Sequence, residues 1–254
     1  MIPNKKISAY IITHNEEKNI SEVLECLDFA DEILVVDSSS KDKTAEIAQN
    51  FPNVKVIQNP FENFTKQRNF AIDYLQYEWI IFLDADERIT PALREEILQT
   101  IQKPNAKEAY YFYRQFFFDG KPLHYSGTQN DKNFRLFKNG RARFSSKKLV
   151  HETLEVDGEI GVLKNKLLHY SFDSYEKKKK KMIHYGELKG KELFNKGKKY
   201  SIITQYAKTA FKFLKSYVMK LGFLDGKAGF DLCYLQTLSV YHTYISLKNQ
   251  EIKS

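Results

Sequence analysis

The chain has 254 residues, 42% of them hydrophobic, and a formal net charge of +8. That length holds one large α/β domain or a domain with a helical appendage, and that apolar content excludes a disordered chain. Two cysteines, Cys26 and Cys233, exclude a disulfide framework or a cysteine metal site and suit a reducing compartment.

Taken in order, Ile7–Ile12 is a short apolar run and a predicted strand, followed by the polar cluster Thr13-His14-Asn15-Glu16-Glu17. Ile20, Val23, Leu24 and Leu27 recur with helical spacing. Ile33–Val36 is a second strand ending at Asp37, and Ser38, Ser39, Ser40 and Asp42 lead into a helix over Thr44–Gln49. Val54–Ile57 is a third strand, Phe64–Tyr77 a helix, and Trp79–Leu83 a fourth strand ending at Asp84. Thr90 and Pro91 read as N-cap and first turn of a helix to about Ile101. This alternation predicts a mixed, mostly parallel sheet flanked by helices, with ligands beyond the carboxyl ends of the strands. Three polar clusters fall on that one rim: Thr13–Glu17, Asp37–Asp42 and Asp84–Arg88.

Farther on, the aromatic decapeptide Ala109–Phe118, Phe134–Phe137 and Leu163–Tyr170 are expected strands. From Tyr175 the chain turns helical and Lys-rich. Residues 175–254 hold 17 Lys, no Arg and 6 acidic residues, a balance of +11, so residues 1–174 balance at −3. The expected divisions are 1–105, 106–174 and 175–254. Met1–Lys6 is polar and the apolar run behind it short, so no signal peptide is expected. The longest uncharged run, Leu232–Leu247, reads as a buried or interfacial helix rather than a membrane span. Over Ala207–Leu224 a helix would align Lys208, Lys212 and Lys215 beside an apolar face, which suits either an interfacial helix or one packed on the domain.

Asp84-Ala85-Asp86 is the first chemical candidate. Two carboxylates at a buried strand end repel unless a cation joins them, and hard oxygen ligands suit Mg²⁺ or Mn²⁺ bridging a diphosphate. Asp37 suits a nucleobase N–H or ribose hydroxyl, or simply its own loop, with Ser40 or Asp42 capping the next helix. Thr13, Asn15 and Glu16 admit both a binding and a helix-capping reading. Lys66, Arg68 and Asn69 place cations where phosphates could be held, or form a solvated helix face. His151-Glu152 supplies a carboxylate able to act as base, and His169 a possible further metal ligand or a core histidine.

The motifs Ile11-Ile12-Thr13-His14-Asn15-Glu16-Glu17, Val35-Val36-Asp37-Ser38-Ser39-Ser40-Lys41-Asp42-Lys43-Thr44 and Phe82-Leu83-Asp84-Ala85-Asp86-Glu87 resemble those of family 2 glycosyltransferases, inverting enzymes of GT-A fold. Phe134-Arg135-Leu136-Phe137-Lys138, Val150-His151-Glu152, Leu168-His169-Tyr170-Ser171-Phe172 and Gly222-Phe223-Leu224-Asp225-Gly226 look like the branch that builds lipopolysaccharide inner core. The resemblance implies a UDP-sugar donor, UDP-glucose in that branch, and a heptose acceptor on a glycolipid. It implies that Asp37 and Asp84, with Ala85 between the carboxylates, contact the nucleotide sugar, that Asp86 holds the metal, and that Glu152 is the base. It also implies a cytoplasmic enzyme, peripheral on the inner face of the membrane. Ser38-Ser39-Ser40 departs from the Asp-Gly-Ser of the wider family. The rivals are a transferase loading a polyprenyl phosphate and a non-catalytic nucleotide-binding module. A nucleic-acid partner is not expected, since the basic tail has no Arg and no recognition motif.

Overall fold

The computed structural model describes residues 5–118, 120–145, 153–170 and 175–253. The chain forms two compact units: Met1–Arg114 with Lys132–His169, and Gln115–Asp131 with Tyr170–Ser254. The expected 106–174 segment thus contributes to both.

In the first unit the β-α alternation appears as expected. The elements are β1 (Ile7–Thr13), α1 (Ile20–Glu25), β2 (Glu32–Asp37), α2 (Thr44–Gln49), β3 (Val54–Gln58), α3 (Phe64–Asp73) and β4 (Trp79–Leu83). Then come β5 (Glu87–Arg88), α4 (Pro91–Gln102), β6 (Ala109–Phe118), whose end belongs to the second unit, β7 (Lys121–Leu123) of that second unit, and, back in the first, β8 (Lys132–Lys138), β9 (Ala142–Ser145), β10 (Thr153–Val156), β11 (Ile160–Val162) and β12 (Leu167–His169). The strand order is β3-β2-β1-β4-β8-β6-β12-β5. The first four strands run parallel, and β8 joins β4 and β6 antiparallel.

Strand parity sorts the core into two layers. Ile7, Ala9 and Ile11 of β1 and Trp79, Ile81 and Leu83 of β4 pack with α1 and α4. Tyr10, Ile80 and Phe82 face the other way, onto Ala71 and Ile72 of α3 and onto Phe137 and Phe144. Asp84 continues the Ile80–Phe82 parity and so belongs to the α3 side.

Two element boundaries differ from expectation. Helix α3 stops at Asp73 rather than Tyr77, because side chains take the next backbone donors: Gln76 N–H donates to Glu32 Oε1 at 2.8 Å and Tyr77 N–H to Ser8 Oγ at 3.1 Å. Strand β12 spans only Leu167–His169, because the amides of Lys164 and Asn165 turn onto the Glu96 carboxylate, each at 2.8 Å.

The second unit holds α5 (Tyr175–Asn195), α6 (Ile202–Leu214) and α7 (Gly226–Lys253). The helix expected through Leu224 ends earlier: α6 passes into a π-helical turn over Lys215–Met219, and Leu221 adopts φ +57° before a 3-10 turn over Gly222–Asp225. The uncharged run lies within α7, and among the described residues no helix is long and apolar enough to cross a membrane. Helices α5 and α7 pack at backbone distance. A Cβ on Gly186 would strike the Ser239 carbonyl, and one on Gly190 would lie 2.5 Å from the Thr243 carbonyl. Replacing Gly190 by Leu is therefore expected to destabilise the protein by about 2–3 kcal/mol. Leu at exposed Ala207 is expected to change it by less than about 0.5 kcal/mol. Urea unfolding followed by circular dichroism measures both.

Candidate active site

β4 delivers Asp84 to the sheet rim, and a tight turn returns the chain to β5. Glu87 N–H donates to the Asp84 carbonyl at 3.0 Å, and Asp84 N–H donates to Glu87 Oε2 at 3.1 Å. Arg88 pins this turn, donating to the carbonyls of Ala85 and Glu87 at 2.6 and 2.8 Å and to that of Asn19 at 3.1 Å. The Ala85 side chain is buried in the core under this turn.

Around the turn lies a carboxylate–guanidinium cluster. Arg68 Nη2 donates to Asp84 Oδ1 at 2.9 Å, and Arg135 Nη2 to Asp84 Oδ2 at 2.7 Å. Arg135 also grips Glu87 with two bonds of 2.7 Å, and Arg114 stands 3.6 Å from the same carboxylate. Glu87 is wholly buried. The Phe82 ring lies under both guanidiniums, 5.0 Å from that of Arg68 and 4.9 Å from that of Arg135. Arg68, Phe82, Asp84 and Arg135 line a cavity of about 130 Å³ with Asn133, Phe134, Phe144 and Leu154. Its two guanidiniums against one carboxylate leave one formal positive charge, suited to an anion.

Burial alone would raise the Asp84 pKa, but Arg135, Arg68 and His169 outweigh it and hold the carboxyl well below its ordinary range. Burial alone would lower that of Arg135, but Asp84 and Glu87 hold it above its ordinary value. Both Asp84 oxygens accept from guanidiniums, so in this structure arginines balance its charge and brace it.

Asp86 sits differently. The β12–β5 ladder sets His169 opposite Glu87, which brings His169 Nε2 to 3.2 Å from Asp86 Oδ2. A carboxylate oxygen and an imidazole nitrogen at that separation fit two sites on one Mg²⁺ or Mn²⁺, leaving the rest to water and diphosphate. No group of three or more His, Cys, Asp or Glu side chains converges among the described residues. The pair fits a metal that its substrate completes.

At the next stretch of rim, Thr13 and Asp37 are register partners. Thr13 Oγ1 donates to Asp37 Oδ1 at 3.0 Å, Ser40 Oγ donates to the same oxygen at 2.5 Å, and Ser40 N–H donates to Oδ2 at 2.9 Å. Asn15 does not cap α1. At φ +57° it bridges the two loops, its amide donating to Ser40 Oγ and its Oδ1 accepting from Lys41 N–H, both at 2.8 Å. Glu16 N–H donates to Thr44 Oγ1 at 2.7 Å, and its carboxylate accepts from Asn19 at 2.7 Å beside the start of α1. Asp42 accepts from the Thr44 amide at 3.1 Å and so secures the first turn of α2.

Two expected residues stand elsewhere. Lys66 is exposed and pairs with Glu62, outside the arginine cavity. Asn69 fastens β9, bonding the Phe144 carbonyl and amide at 2.9 and 3.0 Å. Glu152, with His151, lies outside the described residues. Sequence reasoning missed Arg135, Glu87 and Arg114. The available signal was Arg135 itself, a charge set between Phe134 and Leu136-Phe137.

Replacing Glu87 by Gln keeps its shape but removes a wholly buried charge, and is expected to cost about 3 kcal/mol in urea unfolding. Asp84 has a depressed folded pKa, so its contribution is complete above the unfolded carboxylate value near 4 and lost only as pH falls through the lower folded value. The stability gap between wild type and Asp84→Asn is therefore expected to stay constant down to about pH 4 and to close only below it. A gap closing near pH 6 contradicts the cluster.

With this geometry the comparisons agree. The family model for glycosyl transferase family 2 matches residues 8–154, more than half of the chain. A lipopolysaccharide core biosynthesis glycosyltransferase, LpsC of Rhizobium meliloti, is 25% identical over 96% of this chain and 95% of its own. An uncharacterized glycosyltransferase of Rickettsia bellii is 31% identical over 89% of this chain and 80% of its own. Among solved structures, S. aureus TarS 1-349 with UDP-GlcNAc covers 98% of this chain and 92% of its own, at TM-score 0.52 and 16% identity. The mannosyltransferase PcManGT of Pyrobaculum calidifontis with GDP-Man and Mn²⁺ covers 98% and 88%, at TM-score 0.50 and 14% identity. The fold is GT-A, and the chain belongs to glycosyl transferase family 2.

Proposed function

We propose that the protein transfers a hexose, glucose from UDP-glucose, with inversion onto the heptose of a lipopolysaccharide or lipooligosaccharide inner core. The observation that carries the transfer chemistry is the Asp86–His169 pair beside an arginine cavity that braces Asp84. End-to-end likeness to LpsC supports the acceptor class, and the branch motifs support glucose.

Thr13, Asp37 and the adjoining loop hold the nucleoside end of the donor. Arg68 meets the diphosphate from the cavity wall, while Arg135 keeps Asp84 and Glu87 in place. Asp86 and His169 hold Mg²⁺ or Mn²⁺, which would neutralise charge on the departing diphosphate. Glu152, assigned from the sequence resemblance alone, takes the proton of the acceptor hydroxyl as that oxygen attacks the anomeric carbon and UDP leaves.

A donor screen with UDP-glucose, UDP-GlcNAc and GDP-mannose, with Mg²⁺ or Mn²⁺ and deacylated heptose-bearing core, tests this by nucleotide release. UDP-glucose is expected to give the highest kcat/KM. Asp86→Ala is expected to lower it on the order of a hundred- to a thousandfold with the fold intact. Full activity in that variant removes the metal assignment, and preference for lipid phosphate over core removes the acceptor.

A further inference from the structure

Helix α6 and the π-helical turn bury polar groups and expose apolar ones. Along α6 and the π-helical turn, the buried positions facing α7 are Gln205 and Ser216, at 2% and 3% exposure. The opposite side presents Ile203, Leu214, Val218 and Met219, at 79%, 51%, 47% and 65%. A water-facing helix normally has the reverse arrangement. The buried polar groups are satisfied within the unit: Gln205 Oε1 accepts from Tyr200 Oη at 2.9 Å, and Ser216 Oγ donates to the Lys212 carbonyl at 2.5 Å. The exposed apolar side is thus not a misplaced core.

Beside this ridge is a cavity of about 300 Å³, lined by Lys212, Lys215, Lys220, Ser126, Ser216 and Gln236 together with Phe211 and Gly127. The π-helical turn sets Lys215 and Lys220 one wide turn apart, joined by Lys220 N–H to the Lys215 carbonyl at 2.9 Å. The opposite wall is clamped twice. Ser126 N–H and Gln129 Nε2 donate to the Lys220 carbonyl at 3.1 and 2.9 Å, and Asp225 accepts from His124 N–H, Tyr125 N–H and Ser126 Oγ at 2.8–3.0 Å. Gly127 is needed there: its φ is +90°, and a Cβ would stand 3.2 Å from the Lys220 side chain. Burial lowers the Lys212 pKa; Cys233 opposes this, and the nearby charges of Lys220 and Lys215 add to the lowering. A bound anion relieves that crowding.

We propose that Lys212, Lys215 and Lys220 form a site for a phosphate headgroup, and that the adjoining apolar ridge enters the surface of an anionic phospholipid bilayer. Shape, charge and apolarity agree on this occupant. The cavity fits a phosphate-bearing headgroup, three ammonium groups complement its charge, and Phe211, Leu214 and Val218 lie where acyl chains begin. Among the described residues no helix is long and apolar enough to cross a membrane, and an interfacial attachment needs none. Lys208, expected on the same stripe, stands instead over the Tyr244 ring at 5.6 Å and does not line the cavity. The inference is independent of donor and acceptor identity.

Flotation of the full chain with phosphatidylcholine vesicles, with or without phosphatidylglycerol, tests it. Binding is expected only with phosphatidylglycerol. The triple variant Lys212→Gln, Lys215→Gln, Lys220→Gln is expected to lower partition about a hundredfold. Removing three lysines from α5 (Lys180→Gln, Lys181→Gln, Lys191→Gln) removes the same charge and is expected to lower it less than about tenfold. Leu214→Ser with Met219→Ser keeps the charge and is also expected to weaken binding. Donor hydrolysis and thermal midpoint, unchanged in each variant, verify folding. Equal binding to both vesicles overturns the proposal, as does equal loss in the two lysine variants. Complete displacement by inorganic phosphate assigns the cavity to a soluble anion, and binding of a short RNA without vesicle binding assigns the surface to nucleic acid; either overturns it.

Discussion

Arg135 sits in the middle of β8 with 4% of its side chain exposed, a permanent charge inside a layer of phenylalanines. The sheet accommodates it because Glu87 meets it with two hydrogen bonds and Asp84 with a third. That meeting ties the end of the parallel half of the sheet to its antiparallel half. It also sets how each carboxylate of Asp84-Ala85-Asp86 is engaged, the two side chains being equally exposed at 33% and 32%. With both Asp84 oxygens committed to guanidiniums, Asp86 is left facing His169. A buried ion cluster of this kind gives little net stability, yet removing one partner strands the others. Its value lies in geometry: the acidic turn cannot slide along the rim without breaking five charged contacts.

The second unit follows a different rule. Gly186 and Gly190 let α5 and α7 approach closely, while Thr237 and Thr243 return their hydroxyls to the carbonyls of Cys233 and Ser239. Twelve of the 21 large apolar side chains that are exposed among the described residues fall between Ile202 and Tyr234. A surface so concentrated is what the proposed bilayer contact would cover.

Much of the first unit was legible in the sequence. Parallel strands buried on both faces read as unbroken apolar runs, so β1, β2 and β4 and their polar ends stood out. Asp37, Thr13, Asp84 and Arg68 gathered on one rim as expected, and His169 lies beside Asp86. What escaped depends on pairing across distance. Arg135 is 48 residues from Glu87, and nothing in either local pattern announces their contact. The early end of α3 depends on Glu32 and Ser8 capturing its amides, again a tertiary event. Asn15 fits a capping pattern, but its left-handed backbone turns it to the Ser40–Lys41 loop. Along α6 and the π-helical turn, helical periodicity cannot tell which face is buried, and there the polar face was.

The division of labour between Asp84 and Asp86 is the central claim. Pulsed electron paramagnetic resonance of the full chain with Mn²⁺ and UDP tests it directly. Nitrogen coupling from one imidazole is expected on the bound ion, abolished by His169→Ala and preserved in Asp84→Asn. Absence of nitrogen coupling, or coupling that survives His169→Ala, contradicts it.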